Sequence, residues 1–167
     1  MNIEAKAVSV RFGDSVVLDG VSLSLRAGEM VGLIGPNGAG KTTLLCVLAD
    51  LLPASGGGVL YDGDSRAKAG RDLARRLSFL AQGGDVHWPM RVDHIVALGR
   101  LPHRRPFAGV SAKDVAAIER AMTAAEVTHL RLRPASTLSG GERMRVLLAR
   151  ACGRNRGAAR GRADRGA

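Results

Sequence analysis

Polar residues occupy every second position in short apolar segments of the N-terminal part of the chain. The alternation runs through Ala5–Phe12 and returns in Val21–Leu25, with a brief apolar stretch, Val16–Leu18, between them. A period of two is typical of strands that bury one face. We therefore predict three short strands here, and a fourth at Gly58–Tyr61 that ends at a turn.

Two further segments are apolar without alternation. They are Met30–Ile34 and Leu77–Ala81, and each is only five residues long. Continuous apolar runs of this length are typical of strands buried on both faces of a parallel sheet. Both are therefore predicted as strands of a covered central sheet.

Apolar residues recur at helical spacing in the remaining segments. The predicted helices are Lys41–Leu52, Val92–Gly99, Ala112–Glu126 and Glu142–Ala151, together with a short polar surface helix at Arg66–Arg75. The predicted buried faces consist of Leu44, Leu45, Leu48 and Leu52 in the first helix and Val115, Ile118, Met122 and Ala125 in the third.

Composition predicts a globular protein of the cytosol. The 167 residues are 46% hydrophobic, enough for one domain with its own core. No apolar run approaches the ~20 residues of a membrane-spanning helix, and the start M-N-I-E-A-K lacks the pattern of a signal peptide. We expect such a chain to reach a membrane only through a partner.

The net charge of +10 raises the question of nucleic-acid binding. Residues 151–167 contain five arginines and one aspartate, and the remaining positive charge is scattered. Aromatic residues, which would form a stacking platform for bases, make up only 3% of the chain and do not interleave with the basic residues. The charge is therefore interpreted as solvated surface, and no nucleic-acid partner is expected.

The clearest chemical motif is Gly35–Thr43, which reads G-P-N-G-A-G-K-T-T. It fits the phosphate-loop pattern G-x-x-x-x-G-K-[ST], between a predicted strand and a predicted helix. Glycines let the backbone curl so that its N–H groups point at an anion, and the helix dipole favours negative charge there. In such a loop Lys41 reaches the β- and γ-phosphates, and the Thr42 hydroxyl ligates Mg²⁺. The motif predicts a nucleoside-triphosphate site.

A second motif, L-S-G-G-E, occupies positions 138–142 before the last predicted helix. Ser139 is suited to cap that helix, with two glycine amides beside it as a second anion site. The same four letters S-G-G-E also fit an ordinary helix cap. Their occurrence about a hundred residues after a phosphate loop favours the functional interpretation.

The phosphate loop, Gln82 after a buried-strand candidate, and L-S-G-G-E occur in the order found in ABC transporters. Residues 3–151 resemble the nucleotide-binding domain of that family, and the predicted domain is 1–151. The resemblance implies an α/β fold: a P-loop NTPase core with a parallel sheet flanked by helices, an N-terminal antiparallel β subdomain, and a helical subdomain at about 83–137. The family's further core strands have no counterpart in this sequence.

The resemblance also assigns site residues. Phe12 matches the position whose ring stacks on adenine, where the family more often has Tyr, although an inward-facing strand residue is the alternative. Gln82 matches the glutamine that helps to hold Mg²⁺ and senses the membrane partner. The ATP phosphates would be bound by Gly35, Pro36, Asn37, Gly38, Ala39, Gly40, Lys41, Thr42 and Thr43, and in trans by Ser139, Gly140, Gly141 and Glu142.

The expected cofactors are ATP and Mg²⁺, and the expected partners follow from the family. Each complete site is shared by two subunits in a head-to-tail homodimer, which docks on integral-membrane permease subunits at the inner face of the membrane. The passage from His87 to Arg104 is similar to one in importers of iron–siderophore, haem and vitamin B12 complexes, with Val92, Gly99, Arg100, Pro102 and His103 carrying the match.

The family pattern also demands an apolar strand ending in Asp-Glu about twenty residues after the signature, and later a histidine. Residues 152–167 are a Gly/Arg/Ala-rich tail with neither feature. A one-base shift of a suitable codon choice for Arg156–Gly166 reads A-V-L-L-A-D-E-P-T-A. We therefore expect a truncated or frameshifted chain with a disordered tail, weak ATP binding and negligible hydrolysis. An ABC-type ATPase of repair or translation and a non-functional fragment are the alternatives.

Overall fold

A computed structural model of the chain describes residues 1–65, 72–82, 90–104 and 109–154, with only the backbone of Arg154. The chain divides into two compact units, Met1–Leu73 and Ala74–Ala167. No helix within those described ranges is long and apolar enough to cross a membrane.

The first unit contains a four-stranded sheet of order β2-β1-β3-β4 in which every neighbouring pair is antiparallel. The strands are β1 (Ile3–Phe12), β2 (Ser15–Leu25), β3 (Gly56–Tyr61) and β4 (Asp64–Ser65). Predicted strands at Ala5–Phe12 and Gly58–Tyr61 are confirmed. The two predicted strands at Val16–Leu18 and Val21–Leu25 form one strand, whose pairing with β1 shifts register between Val8 and Val10, and Gly20 has a positive φ at this irregularity.

An irregularity interrupts the centre of the sheet. Ala7 adopts a φ of 46°, and its N–H donates at 2.9 Å to a side-chain atom of the neighbouring strand β2, Ser22 Oγ. Opposite it, a Cβ on Gly57 would lie 2.2 Å from the Ala7 carbonyl oxygen. Only glycine fits there, because the backbones approach too closely for a side chain.

The core of this unit lies between one face of the sheet and helix α1 (Lys41–Leu48). Its buried members are Ala5, Val8, Val10, Leu18, Leu44, Val47 and Leu48. The buried Tyr61 hydroxyl donates to the Leu48 carbonyl at 3.2 Å and so ties the end of α1 to β3. The prediction for Leu45 is wrong, since its side chain is exposed.

Met30–Ile34 does not form the predicted buried strand. The segment is irregular, and the side chains of Met30 and Ile34 are 98% and 96% exposed. Leu77–Ala81 is likewise irregular, with Leu77, Ser78, Phe79 and Leu80 half-buried. Within the described ranges no strand pairs with either segment, and a parallel ladder cannot form without partners. The predicted parallel sheet is therefore absent from this part of the structure.

Helices dominate the described residues of the second unit. Residues 72–76 are helical (α2), and the first part of the predicted helix Arg66–Arg75 lies outside the described residues. The others are α3 (Val92–Leu98), α4 (Ala112–Ala124) and α5 (Gly140–Arg154), with 3₁₀ turns at Leu101–His103, Thr128–Leu130 and Ala135–Thr137.

Helices α3, α4 and α5 enclose the second core. It contains Val92, Ile95, Val96, Ile118, Ala121, Met122, Val127, Leu130, Ala135, Leu138, Val146 and Ala149. Ile118 and Met122 are buried as predicted, whereas Val115 faces outward. The buried stripe of α4 instead includes Ala117 and Ala121, which are neighbours of Ile118 and Met122 on the same helix.

Candidate nucleotide-binding site

The phosphate loop is built by glycines in the left-handed region. Gly38 and Gly40 have φ of 82° and 80°, and Gly40 is the N-cap of α1, with its carbonyl accepting the Leu44 N–H at 2.8 Å. A Cβ at Gly40 would lie 2.8 Å from Leu18 Cδ2 and 2.9 Å from the Val17 carbonyl oxygen. The loop therefore packs directly on β2, and its last turn requires glycine.

Lys41 closes the loop on itself. Its Nζ donates to the carbonyl oxygens of Gly35 and Pro36, at 2.8 and 2.6 Å. The cation thus lies over the ring of the loop, at the N-terminus of α1, where the helix dipole also favours an anion. Thr42 is exposed on the first turn and Thr43 is half-buried. Hydroxyl, ammonium and helix N-terminus together form a cradle suited to phosphate oxygens and to a cation bound with them.

Phe12 lies at the end of β1, opposite Ser15 in the hairpin with β2. Its side chain is 54% exposed, so the alternative of an inward-facing strand residue is wrong. The same hairpin supplies Val17 and Leu18, which contact Gly40. The structure therefore places an accessible aromatic ring on the hairpin that supports the phosphate loop.

The S-G-G-E motif forms a reciprocal capping box at the start of α5. The Ser139 N–H donates to Glu142 Oε2 at 2.8 Å, and the Glu142 N–H donates to Ser139 Oγ at 3.3 Å. The Ser139 backbone N–H, followed by its hydroxyl, lowers the pKa of the Glu142 carboxyl below its ordinary value. Gly140 and Gly141 are exposed within the first turn, so the helix begins two residues before the predicted start.

Arg133 supports this turn and was missed by sequence reasoning. Its Nη2 donates to the Thr137 carbonyl at 2.8 Å, and its Nη1 lies 3.6 Å from Glu142 Oε1. Its own carbonyl accepts the Val92 N–H at 3.1 Å. An arginine six residues before the serine carries no motif by itself, so only the fold reveals the contact.

Gln82 is exposed in a turn, and the residues that follow it, 83–89, lie outside the described part of the chain. It belongs to the second unit with Ser139, whereas Phe12 and Lys41 belong to the first. The phosphate loop and Phe12 therefore belong to one unit, whereas Gln82 and the signature turn belong to the other.

Comparison with known proteins is consistent across sequence and structure. The sequence profile described as ABC transporter matches residues 18–157. The chain is 42% identical over 149 residues to the hemin import ATP-binding protein of Pseudomonas entomophila, covering 89% of this chain and 57% of that protein. It is 38% identical over 152 residues to the cobalamin import ATP-binding protein of Halobacterium salinarum, covering 90% of this chain and 38% of that protein.

Solved structures give the same result. An ATP-binding cassette of an ABC transporter matches with a TM-score of 0.74 and 25% identity, covering 91% of this chain and 64% of that one. A bacterial Atm1-family ABC exporter with ATP bound matches with a TM-score of 0.74 and 26% identity, covering 92% and 28%. The predicted P-loop NTPase fold class is thereby confirmed. The chain spans about half the length of the curated relatives it matches. It belongs to the ABC transporter family.

Proposed function

We propose that this chain is the ATP-binding part of an ABC importer. The observation that carries the proposal is the phosphate loop, in which Lys41 lies over a glycine ring at the N-terminus of α1. Relatives named for hemin import and cobalamin import support an importer of a metal chelate such as haem, cobalamin or an iron–siderophore complex.

ATP binding replaces internal contacts of the loop. The β- and γ-phosphates take the place of the Gly35 and Pro36 carbonyls as partners of Lys41, and the loop amides bind their oxygens. The Thr42 hydroxyl and the Gln82 side chain would hold Mg²⁺, and the accessible ring of Phe12 would stack on adenine. Within these roles the chain binds and orients the nucleotide, and the bound cation neutralises phosphate charge.

The signature turn acts on the nucleotide of another subunit. Ser139, Gly140 and Gly141 are exposed at a helix N-terminus, where backbone amides can meet a γ-phosphate held by a second copy. A head-to-tail homodimer therefore completes two sites. That dimer docks on permease subunits and so lies at the cytoplasmic face of a membrane.

Hydrolysis is expected to be negligible in this chain. Catalysis of phosphoryl transfer to water needs a residue that orients the water and a carboxylate that supports Mg²⁺. Within residues 155–167 the only acidic side chain is that of Asp164, between Ala163 and Arg165, and no run of apolar residues precedes it in the sequence. We therefore propose binding of ATP with little turnover.

The test is titration of the purified chain with a fluorescent ATP analogue and Mg²⁺. Lys41→Ala should weaken binding about tenfold to a hundredfold, because a charge-assisted contact to phosphate is lost. Lys6→Ala removes an exposed lysine of the same unit and should change nothing. Equal affinity of wild type and Lys41→Ala would contradict ATP binding at this loop. Release of phosphate that depends on both Mg²⁺ and Lys41 would contradict the proposed lack of turnover.

A further inference from the structure

Two oppositely charged side chains are buried together among the helices of the second unit. Arg100 and Asp114 are 6% and 5% exposed, and Arg100 Nε donates to Asp114 Oδ1 at 2.9 Å. Burying such a pair is costly unless its remaining polar atoms are also satisfied. Neither residue has a role in the nucleotide chemistry described above, so the pair needs another explanation.

The guanidinium of Arg100 joins three helices. Arg100 follows the C-cap of α3, and Asp114 lies in the first turn of α4. The Nη1 of the same side chain donates to the Gly153 carbonyl, in the last turn of α5, at 2.9 Å. Arg100 thereby links the Gly153 end of α5 to α3 and α4.

Asp114 is itself held rigidly. Its Oδ2 accepts the Ser111 hydroxyl at 2.6 Å and the Ser111 N–H at 3.3 Å, while the Asp114 N–H donates to Ser111 Oγ at 3.2 Å. The Ser111 hydroxyl, together with Arg100, lowers the pKa of the Asp114 carboxyl. The carboxylate that anchors Arg100 is therefore charged and fixed in orientation by a capping box.

The place where α3, α4 and α5 meet around Arg100, called the vertex below, is also fixed by close packing of the backbones. A Cβ on Gly99 would lie 2.1 Å from the Arg150 carbonyl oxygen, so α3 and α5 touch through their backbones. A Cβ on Gly153 would lie 3.6 Å from Ala121 Cβ in α4 and 3.8 Å from the Val96 carbonyl oxygen in α3. The last turns of α5 thus have little room to slide or rotate.

We infer that Arg100 is a positioning residue for the signature turn, acting through α5. Helix α5 begins at Gly140, directly after Ser139, and ends in the vertex. At 1.5 Å per residue its length is about 21 Å, so a tilt of about 5° at one end moves the other by about 2 Å. A misplacement of about 1 Å is enough to impair a preorganised site. The role assigned to the signature rests on the proposed function, whereas the mechanical link does not.

The test is hydrogen–deuterium exchange of the full 167-residue chain without nucleotide. Arg100→Lys keeps the charge but cannot bind Asp114 and the Gly153 carbonyl together in a fork. We expect amides of residues 143–147, at the signature end of α5, to exchange about tenfold faster. Arg91→Lys is the matched control, because it alters an exposed Arg–Asp pair at the start of α3. It should leave residues 143–147 unchanged.

A purely local role for Arg100 would give a different result. Exchange would then increase in the last turn of α5 and the first turn of α4 while residues 143–147 kept their wild-type rates, and the inference would be overturned. Asp114→Asn, which retains an oxygen at the capping position, is the milder variant and is interpreted in the same way. Failure to bind ATP by the wild-type chain would overturn the proposed function but would not alter these exchange rates.

Discussion

At the two candidate anion sites, side chains of opposite charge form hydrogen bonds with backbone groups. At the phosphate loop the Lys41 cation takes the carbonyls of Gly35 and Pro36, whereas at the start of α5 the Glu142 carboxylate takes the Ser139 N–H. An incoming phosphate is attracted by the first arrangement and must compete with a carboxylate in the second. The comparison indicates that the loop is the primary anion site.

The two sites also differ in how strongly the backbone requires glycine. Gly40→Val should be the most damaging change, because the new Cβ meets Leu18 and the Val17 carbonyl at a φ of 80°. We expect a loss of about 3 kcal/mol in the free energy of unfolding, together with loss of ATP binding. Denaturant unfolding and nucleotide titration measure the two effects.

Gly140→Ala is the matched change at the other site. Nothing lies within 4 Å of a Cβ there, and the residue is helical, so stability should stay within about 0.5 kcal/mol of wild type. Equal destabilisation by the two variants would show that the loop is not more constrained than the signature turn.

Loss of a helix N-cap should have the next largest effect. Ser139→Ala removes the oxygen that accepts the Glu142 N–H, which typically costs about 1 kcal/mol. Ser111→Ala, at the cap of α4, should cost more, because its hydroxyl also binds the buried Asp114 carboxylate. Thermal unfolding of the two variants measures the difference. A larger loss for Ser139→Ala would contradict the ranking.

Removal of the exposed ring at the end of β1 should affect ligand binding and leave stability nearly unchanged. Phe12→Ala should weaken ATP binding about tenfold if the ring stacks on adenine. Phe12→Tyr keeps an aromatic face and should bind as wild type does. Titration with ATP and with inorganic triphosphate separates stacking on the base from any effect on phosphate binding, because only ATP has a base to stack. An equal loss for both ligands would contradict stacking.

Local patterns were sufficient to predict the strands whose sheet partners are present among the described residues. The strands at Ala5–Phe12 and Gly58–Tyr61 form because their sheet neighbours are present. Met30–Ile34 has the composition of a buried strand, yet composition does not supply a neighbour, and in the described residues the segment stays exposed. Burial of such a strand depends on neighbouring strands from distant parts of the chain, and a local pattern cannot show whether they are present.

In the candidate site, too, local features could be predicted from the sequence, whereas contacts between distant residues could not. The glycine pattern predicted the phosphate loop, and S-G-G-E predicted a cap, because both depend on a few adjacent residues. The contact of Arg100 with the Gly153 carbonyl joins positions 53 residues apart, and the acceptor is a backbone atom. No side-chain motif marks a carbonyl, so contacts of this kind become visible only in the folded chain.

The smallest expected effect concerns the charge of Glu142. Because hydrogen bonds from Ser139 lower the pKa of this carboxyl below 4.5, the ionised form is favoured in the folded chain. Its contribution to stability is therefore complete above pH 4.5 and is lost as the pH falls through the lowered value. Glu142→Gln keeps an oxygen that can accept the Ser139 N–H but removes the titration. The difference in unfolding temperature between wild type and Glu142→Gln should shrink on acidification, and a difference that stays constant with pH would show that the carboxylate charge does not stabilise the signature turn.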